Sequence, residues 1–256
     1  MITPDREQIL AFCAEAPVER VFLEEMARRG VQRFAGAEQD GELLALVYAG
    51  VNAVPAGEGC GAFADLVAHE RPRMIIGEER AVAELWDAAR RRLPRPRLDR
   101  PGQPVFVTDG LPVAGGSGLR QAQRQDLELL LPACAAAHAE ELGVDPLAHD
   151  ADAFRRRTLA QVDENRSWLW AEDGVILFKA EASAWTPNAV QLQQVWVDPE
   201  VRNRGYAKRG LADLCRLLLE EAPAVCLFAR HENAPAIHVY EAIGMRRVTT
   251  YRSILF

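Results

Sequence analysis

The stretch between Leu93 and Gly118 sets the strongest limit on how this chain folds. Pro94, Pro96, Pro101, Pro104 and Pro112 remove backbone donors along it, and Gly115-Gly116-Ser117-Gly118 closes it. A segment of that composition connects more than it packs, so one continuous core across it is not expected. Only Pro104–Thr108 reads as a short strand within it. Cutting there leaves residues 1–115 and 116–256, each of ordinary domain size.

Both segments alternate helix and strand. Before the break, helices are expected at Asp5–Ala14, Val18–Arg29, Ala62–Glu70 and Glu78–Arg91, with strands at Val31–Phe34, Leu43–Tyr48 and Arg73–Ile76. After it come a strand at Leu119–Ala122, helices at Asp126–Leu142 and Asp152–Glu164, and strands at Trp168–Ala171, Val175–Ser183 and Val190–Val197. Helix Gly205–Glu220, strand Val225–Ala229, helix Ala234–Ile243 and strand Arg246–Leu255 finish the chain. The fold class is α/β (α+β), with a smaller α/β domain preceding a larger one. The two element orders are alike, which suggests tandem related units.

Composition removes several classes. No run approaches the ~18 apolar residues of a membrane span. Met1-Ile2-Thr3-Pro4-Asp5 lacks the layout of a secretion signal. The net charge of −7 is spread over both segments, which makes general nucleic-acid binding a poor fit. The five cysteines stand far apart with no metal-ligand spacing, as expected for reduced thiols in the cytoplasm and for a chain that holds no metal. Only Lys179 and Lys208 are lysines among 30 basic residues.

The most informative segment runs from Val195 to Ala207. A β-rich run ends at Asp198-Pro199, a short loop follows, and a helix starts near Gly205 with Leu211, Leu214, Leu217 and Leu218 at helical spacing. A strand–loop–helix turn aims backbone N–H groups and the positive end of the helix dipole outward, a natural phosphate site. Gly205 removes a side chain where backbone must approach phosphate, and Ala207 keeps the next turn clear. Arg202, Arg204 and Lys208 add positive charge there. Farther on, Asn233-Ala234-Pro235-Ala236 opens a helix that carries Tyr240 and ends at Gly244-Met245.

These two segments resemble the signatures of the GCN5-related N-acetyltransferases (GNAT). The first matches Q/R-x-x-G-x-G/A as Arg202-x-x-Gly205-x-Ala207. The second matches N-x-x-A-x-x-x-Y-x-x-x-G-F, with Met245 in place of Phe. The resemblance covers about residues 118–256 and implies a mixed sheet, flanked by helices, that splays between the strand ending at Val197 and the strand Val225–Ala229. It implies acetyl-CoA as co-substrate. Pantetheine would run along Trp196 and Val197, the pyrophosphate would sit on Arg202, Asn203, Arg204, Gly205, Tyr206, Ala207 and Lys208, and Asn233 would belong to the coenzyme site.

The resemblance further implies direct acetyl transfer to the primary amine of a small-molecule or protein acceptor, with Tyr240 as the acid for the departing thiolate. Many relatives place a Glu on the strand before the loop, where this chain has Gln191, Gln193 and Gln194, none of them a base. Glu181 is the proton acceptor expected instead, with Glu140 and Glu141 as alternatives, and His231 and His238 read as surface or capping residues. An acyl-CoA sensor without turnover, or an enzyme for succinyl or longer acyl groups, would also fit. The N-terminal segment has no counterpart of the basic loop: Val51–Ala62 offers Gly57, Gly59 and Gly61 beside Glu58. That fits an accessory domain or a decayed acetyltransferase copy.

Overall fold

A computed structural model describes all 256 residues. They pack as two compact units. One comprises Met1–Val107, Phe228–Ala236 and Arg247–Phe256; the other comprises Thr108–Leu227 and Ile237–Arg246. The partition is not a single cut in the sequence, because the last strand returns to the N-terminal unit.

The first unit holds helices α1 (Arg6–Ala14), α2 (Val21–Arg28), α3 (Ala64–Glu70) and α4 (Glu79–Ala89). Its strands are β1 (Phe34–Gln39), β2 (Glu42–Ala49), β3 (Asn52–Gly57), β4 (Met74–Glu78), β5 (Leu98–Thr108) and the chain's final strand, β11 (Arg246–Leu255). They line up β1-β2-β3-β4-β11-β5, with β3 parallel to β4 and β11 antiparallel to it. One apolar cluster gathers Phe63, Val67, Ile75 and Leu85, and another gathers Phe12, Leu23 and Leu46.

Three of these strands differ from the sequence reading, and the first, β1, begins at Phe34, where the expected strand Val31–Phe34 ends. Strand β3, with Pro55 and Gly57, lies in the stretch Val51–Ala62 compared above with the basic loop, where no strand is expected, yet it pairs with β2 on one side and β4 on the other. Strand β5 begins at Leu98 rather than Pro104 and runs through both Pro101 and Pro104. Partners far away in sequence decide this. Arg252 on β11 grips Asp99 at 2.7 and 2.9 Å, and Ser253 Oγ donates to Gln103 Oε1 at 2.6 Å. Tertiary pairing overrides local composition here.

The second unit starts with β6 (Arg120–Gln121), followed by α5 (Leu127–Leu142) and α6 (Pro146–Asp163). Next come β7 (Ser167–Glu172), β8 (Val175–Trp185), β9 (Val190–Trp196), α7 (Tyr206–Leu218) and β10 (Val225–Phe228), and then α8 (Ala234–Ala242). The strand order is β10-β9-β8-β7-β6, a mixed sheet in which only β10 runs parallel to its neighbour. Gly143, at φ +71°, ends α5 in the left-handed conformation that glycine adopts freely. Asp145 caps α6 through Leu147 N, and Asp150, outside helical φ/ψ, caps it again through Ala153 N. The core joins Leu130, Cys134 and Phe154 of the helices to Leu169, Ile176 and Trp196 of the strands.

The glycine segment at the end of the break is strapped down rather than loose. Asp213 on α7 accepts hydrogen bonds from Gly115 N (2.6 Å), Ser117 N (2.7 Å) and Ser117 Oγ (2.6 Å). A Cβ at Gly115 would collide with the backbone of Arg209. Burial alone would raise the Asp213 pKa, but the bonds from Ser117 and the glycine backbone outweigh it and hold the carboxyl below 3.8. The folded value being depressed, this contribution is complete above pH 3.8 and is lost as the pH falls below it. Asp213→Ala is expected to cost about 1–3 kcal/mol in chemical denaturation at pH 7. A loss under about 0.5 kcal/mol, the ordinary surface level, would show that the strap carries no stability.

All five cysteines are free and buried. Burial pushes the Cys13 and Cys215 thiols up to about 12. No helix is long and apolar enough to cross a membrane.

Candidate active site

Strands β9 and β10 pair at only two positions, Val225 with Val190 and Cys226 with Gln191. Beyond Gln191, β9 runs on to Trp196 with no partner on that side. The backbone polar groups along this edge are left for another extended partner. An extra residue also bulges β9 against β8 between Gln193 and Trp196, and Gln194 there has φ +52°. A non-glycine residue in that region is strained, and such bulges re-aim side chains beside functional sites.

The loop beyond Trp196 is built as the sequence reading expects. Asn203 (φ +64°) and Gly205 (φ +81°) turn it into α7, whose start no side chain caps. By helix geometry the N–H groups of Tyr206, Ala207 and Lys208 have no acceptor within the helix, and the dipole makes that end positive. Lys208 is exposed and Ala207 half-buried. The Tyr206 ring packs edge-on against Trp170 at 4.9 Å, and Arg209 lies over both rings, so this side chain anchors the helix. Gly210 permits the close approach of α7 to the sheet: a Cβ there would stand 2.6 Å from the Phe178 ring.

Arg202 does not point freely outward. Its guanidinium holds Glu140 Oε1 at 2.7 Å and Oε2 at 2.9 Å, and its Nε donates to Val197 O at 3.1 Å. Trp196 Nε1 also donates to Glu140 Oε1, at 3.1 Å. Glu140 is therefore the clasp that fastens the loop to α5. Arg204 donates to Glu200 O at 3.4 Å. Glu141 accepts from Gln194 Nε2 at 2.5 Å.

Tyr240 is buried near the end of α8, and burial with the nearby Glu141 charge pushes its phenol above the ordinary range. It remains a protonated donor at neutral pH. Asn233 Oδ1 accepts from Ala236 N at 3.3 Å, capping α8. His231 and His238 are exposed, and His231 stands 3.4 Å from Glu232.

Glu181 is buried rather than solvated. Its Oε1 receives Lys179 Nζ at 2.7 Å, and Cys134 Sγ lies 3.4 Å from the same oxygen and 3.1 Å from Nζ. Its Oε2 has a longer bond from Gln193 Nε2 at 3.4 Å. Burial disfavours both charges, yet each partner's field outweighs it: the Lys179 ammonium is held above its ordinary value and the Glu181 carboxyl below. Sequence reasoning missed Lys179. Its signals were its rarity among the arginines and its place two residues from Glu181, on one face of an otherwise apolar strand.

Beside Glu181 lies a cavity of about 10 Å³, room for about one water molecule, between α5, α6, β8 and β9. His138 and Gln161, neither weighed in the sequence, line it with Glu181 and Gln194. No cluster of three or more His, Cys, Asp or Glu is arranged to hold a metal.

The first unit closes the equivalent turn. After β3 the chain passes Gly59 (φ +84°) toward α3, but the N–H groups of Gly59 and Cys60 donate to Glu84 Oε2 at 2.7 and 3.0 Å. A carboxylate of the chain itself occupies the donors that a phosphate would need.

Strands that part after two rungs beside an uncapped helix start are the geometry that the resemblance to the acetyltransferases implies. Residues 131–245 match the model of the acetyltransferase (GNAT) family, and this part of the chain belongs to that family. Residues 32–130, ahead of it, match a domain of unknown function (DUF4081). No curated protein matches the chain. Among solved structures, it is similar to a putative GNAT-family acetyltransferase from Novosphingobium aromaticivorans, at 17% identity over 93% of this chain and 97% of that one, TM-score 0.58. A GCN5-related N-acetyltransferase from Sphaerobacter thermophilus is similar at 17% identity over 98% and 93%, TM-score 0.58. A tandem GNAT protein from the clavulanic acid biosynthesis pathway is similar at 14% identity over 97% and 92%, TM-score 0.54. At these identities the likeness is one of fold.

Proposed function

We propose that the chain transfers an acetyl group from acetyl-CoA to a primary amine, with the chemistry in residues 116–256 and an accessory role for residues 1–115. The parting of β9 from β10 carries this reading, because it leaves a strand edge where pantetheine can add like a strand. The pyrophosphate then meets the first N–H groups of α7, with Asn203, Arg204 and Lys208 around it. Arg202 serves by fastening the loop to Glu140. Asn233 holds the start of α8 and Tyr240 serves the departing thiolate. Glu181 stays ionised and supplies negative charge on the acceptor side, where the amine must lose its proton before it attacks. The occupied donors of Gly59 and Cys60 support placing the coenzyme on the second loop alone.

The test is thiol release from acetyl-CoA across a panel of diamines, amino acids, aminoglycosides and lysine peptides. Steady transfer to one class establishes the reaction; silence throughout, with coenzyme binding confirmed, overturns it. Gly205→Val should weaken coenzyme binding about 10–100-fold, since it adds a branched side chain at a positive φ where backbone meets phosphate. Its Cβ would touch nothing in the protein itself, so the strain falls on the loop's own backbone and not on the core. Unchanged affinity would remove this loop from the coenzyme site.

A further inference from the structure

The carboxylates expected to take the amine's proton are all engaged. Glu140 holds Arg202 and Trp196, Glu141 accepts from Gln194, and Glu181 is tied to Lys179. The cavity beside Glu181 contains groups that are not. Gln161 Oε1 is buried with no hydrogen-bond partner. His138, half-buried one turn beyond Cys134, is held by its ring edge against Phe154 at 5.9 Å and by no hydrogen bond. Leaving a buried acceptor unsatisfied costs about 1–3 kcal/mol, so a cavity that sets the Gln161 oxygen beside the half-buried imidazole is organised for a polar group that enters it.

We propose that His138 accepts the proton of the acceptor amine. This rests on the acetyl-transfer reading above. The place is right: Gln194 lines the cavity and donates to Glu141, and Glu141 is close enough to Tyr240 to raise its phenol. The proton acceptor and the thiolate's donor are thus linked through Gln194 and Glu141. The amine, already neutral, bonds through its nitrogen to the acetyl carbon, the carbon–sulfur bond breaks, and the proton that the nitrogen then sheds passes to the imidazole. The thiolate leaves with a hydrogen bond from Tyr240 and takes its proton from solvent, to which His138 returns one.

The charges facing the ring suit this task. Burial and the Arg157 guanidinium on α6 hold the imidazole below its ordinary 6.5, so it is neutral near pH 7. Glu181 on β8 acts in the opposite sense and faces the imidazolium as it forms, partly offset by Lys179 on the same strand. Cys134, on the helix that carries His138, has its thiol pushed up to about 11 and stays neutral. Gln194 on β9 carries no charge.

His138→Ala tests the assignment by chemical rescue, and His138→Gln tests it with less disturbance of packing. Both should lower kcat about 100-fold and leave coenzyme affinity unchanged. Added imidazole should restore His138→Ala at least about tenfold, and the acid limb of the wild-type kcat/KM profile, below pH 6.5, should vanish in His138→Gln. Variants with near-wild-type kcat in an active protein overturn the proposal and leave the acetyl-transfer reading standing. So does a loss that imidazole does not rescue with the acid limb intact, which marks a structural histidine. Wild-type protein that binds acetyl-CoA and acetylates no amine overturns the reading, and the proposal falls with it.

Discussion

Lys179→Met is expected to destabilise the protein by about 3–5 kcal/mol at pH 7, because it leaves the Glu181 carboxylate buried without its cation. Lys179 is fully buried and Glu181 nearly so, their charged atoms 2.7 Å apart. The gain from the pair is modest once desolvation is counted, so the loss comes from the charge left behind rather than from the bond removed. Two further results separate those causes. In Lys179→Met, burial without the cation raises the Glu181 folded pKa above its ordinary 4.5, so protonation relieves the folded state. A raised folded value gives stability that is present at low pH and lost as pH rises, so the deficit relative to wild type should shrink toward pH 4.5. The double change Lys179→Met with Glu181→Leu removes both charges and should recover most of the loss. Urea denaturation of wild type and both variants at several pH values measures this. A pH-independent loss under about 1 kcal/mol would mean that the pair is not a buried ion pair.

What the sequence disclosed and what it withheld divide along the range of the interactions. The loop from Arg202 to Lys208 was legible because its meaning is local: glycine at a left-handed position, an uncapped helix start and charge within one turn. The long elements β7, β8, β9, α7 and β11 were legible for the same reason, through period and length. Strand β3 and the start of β5 were not, since proline and glycine break the local pattern while partners distant in sequence hold them straight. Gly115–Gly118 read as a linker because nothing near it predicts Asp213, about a hundred residues on. The basic run of the loop suggested a free Arg202, and only the fold brings Glu140 within its reach. His138 and Gln161 carried no signal in spacing; their absence of partners is visible only when α5 and α6 are packed on the sheet.

Tyr240→Phe is expected to lower turnover about 10–100-fold with coenzyme affinity unchanged, and the size of the effect follows from what the phenol can do. Burial and Glu141 raise its pKa above the ordinary 10. A thiol ionises near 8.5, so the departing thiolate is too weak a base to take the phenol's proton outright. Tyr240 therefore acts by donating a hydrogen bond to charge that develops as the carbon–sulfur bond breaks. Sulfur is a soft acceptor, which keeps the effect below the 10²–10³ typical of an oxyanion donor. Because the donation is made chiefly in the transition state, the loss should fall on kcat, with KM for acetyl-CoA little changed. A pH profile makes the distinction sharper. If Tyr240 ionised during turnover, Tyr240→Phe would remove an alkaline limb; if it only donates, wild type and variant should run parallel across pH 6–9, separated by a constant factor. Equal turnover in the two proteins would take Tyr240 out of the reaction, and a variant that loses coenzyme binding would make it a residue of the pantetheine site.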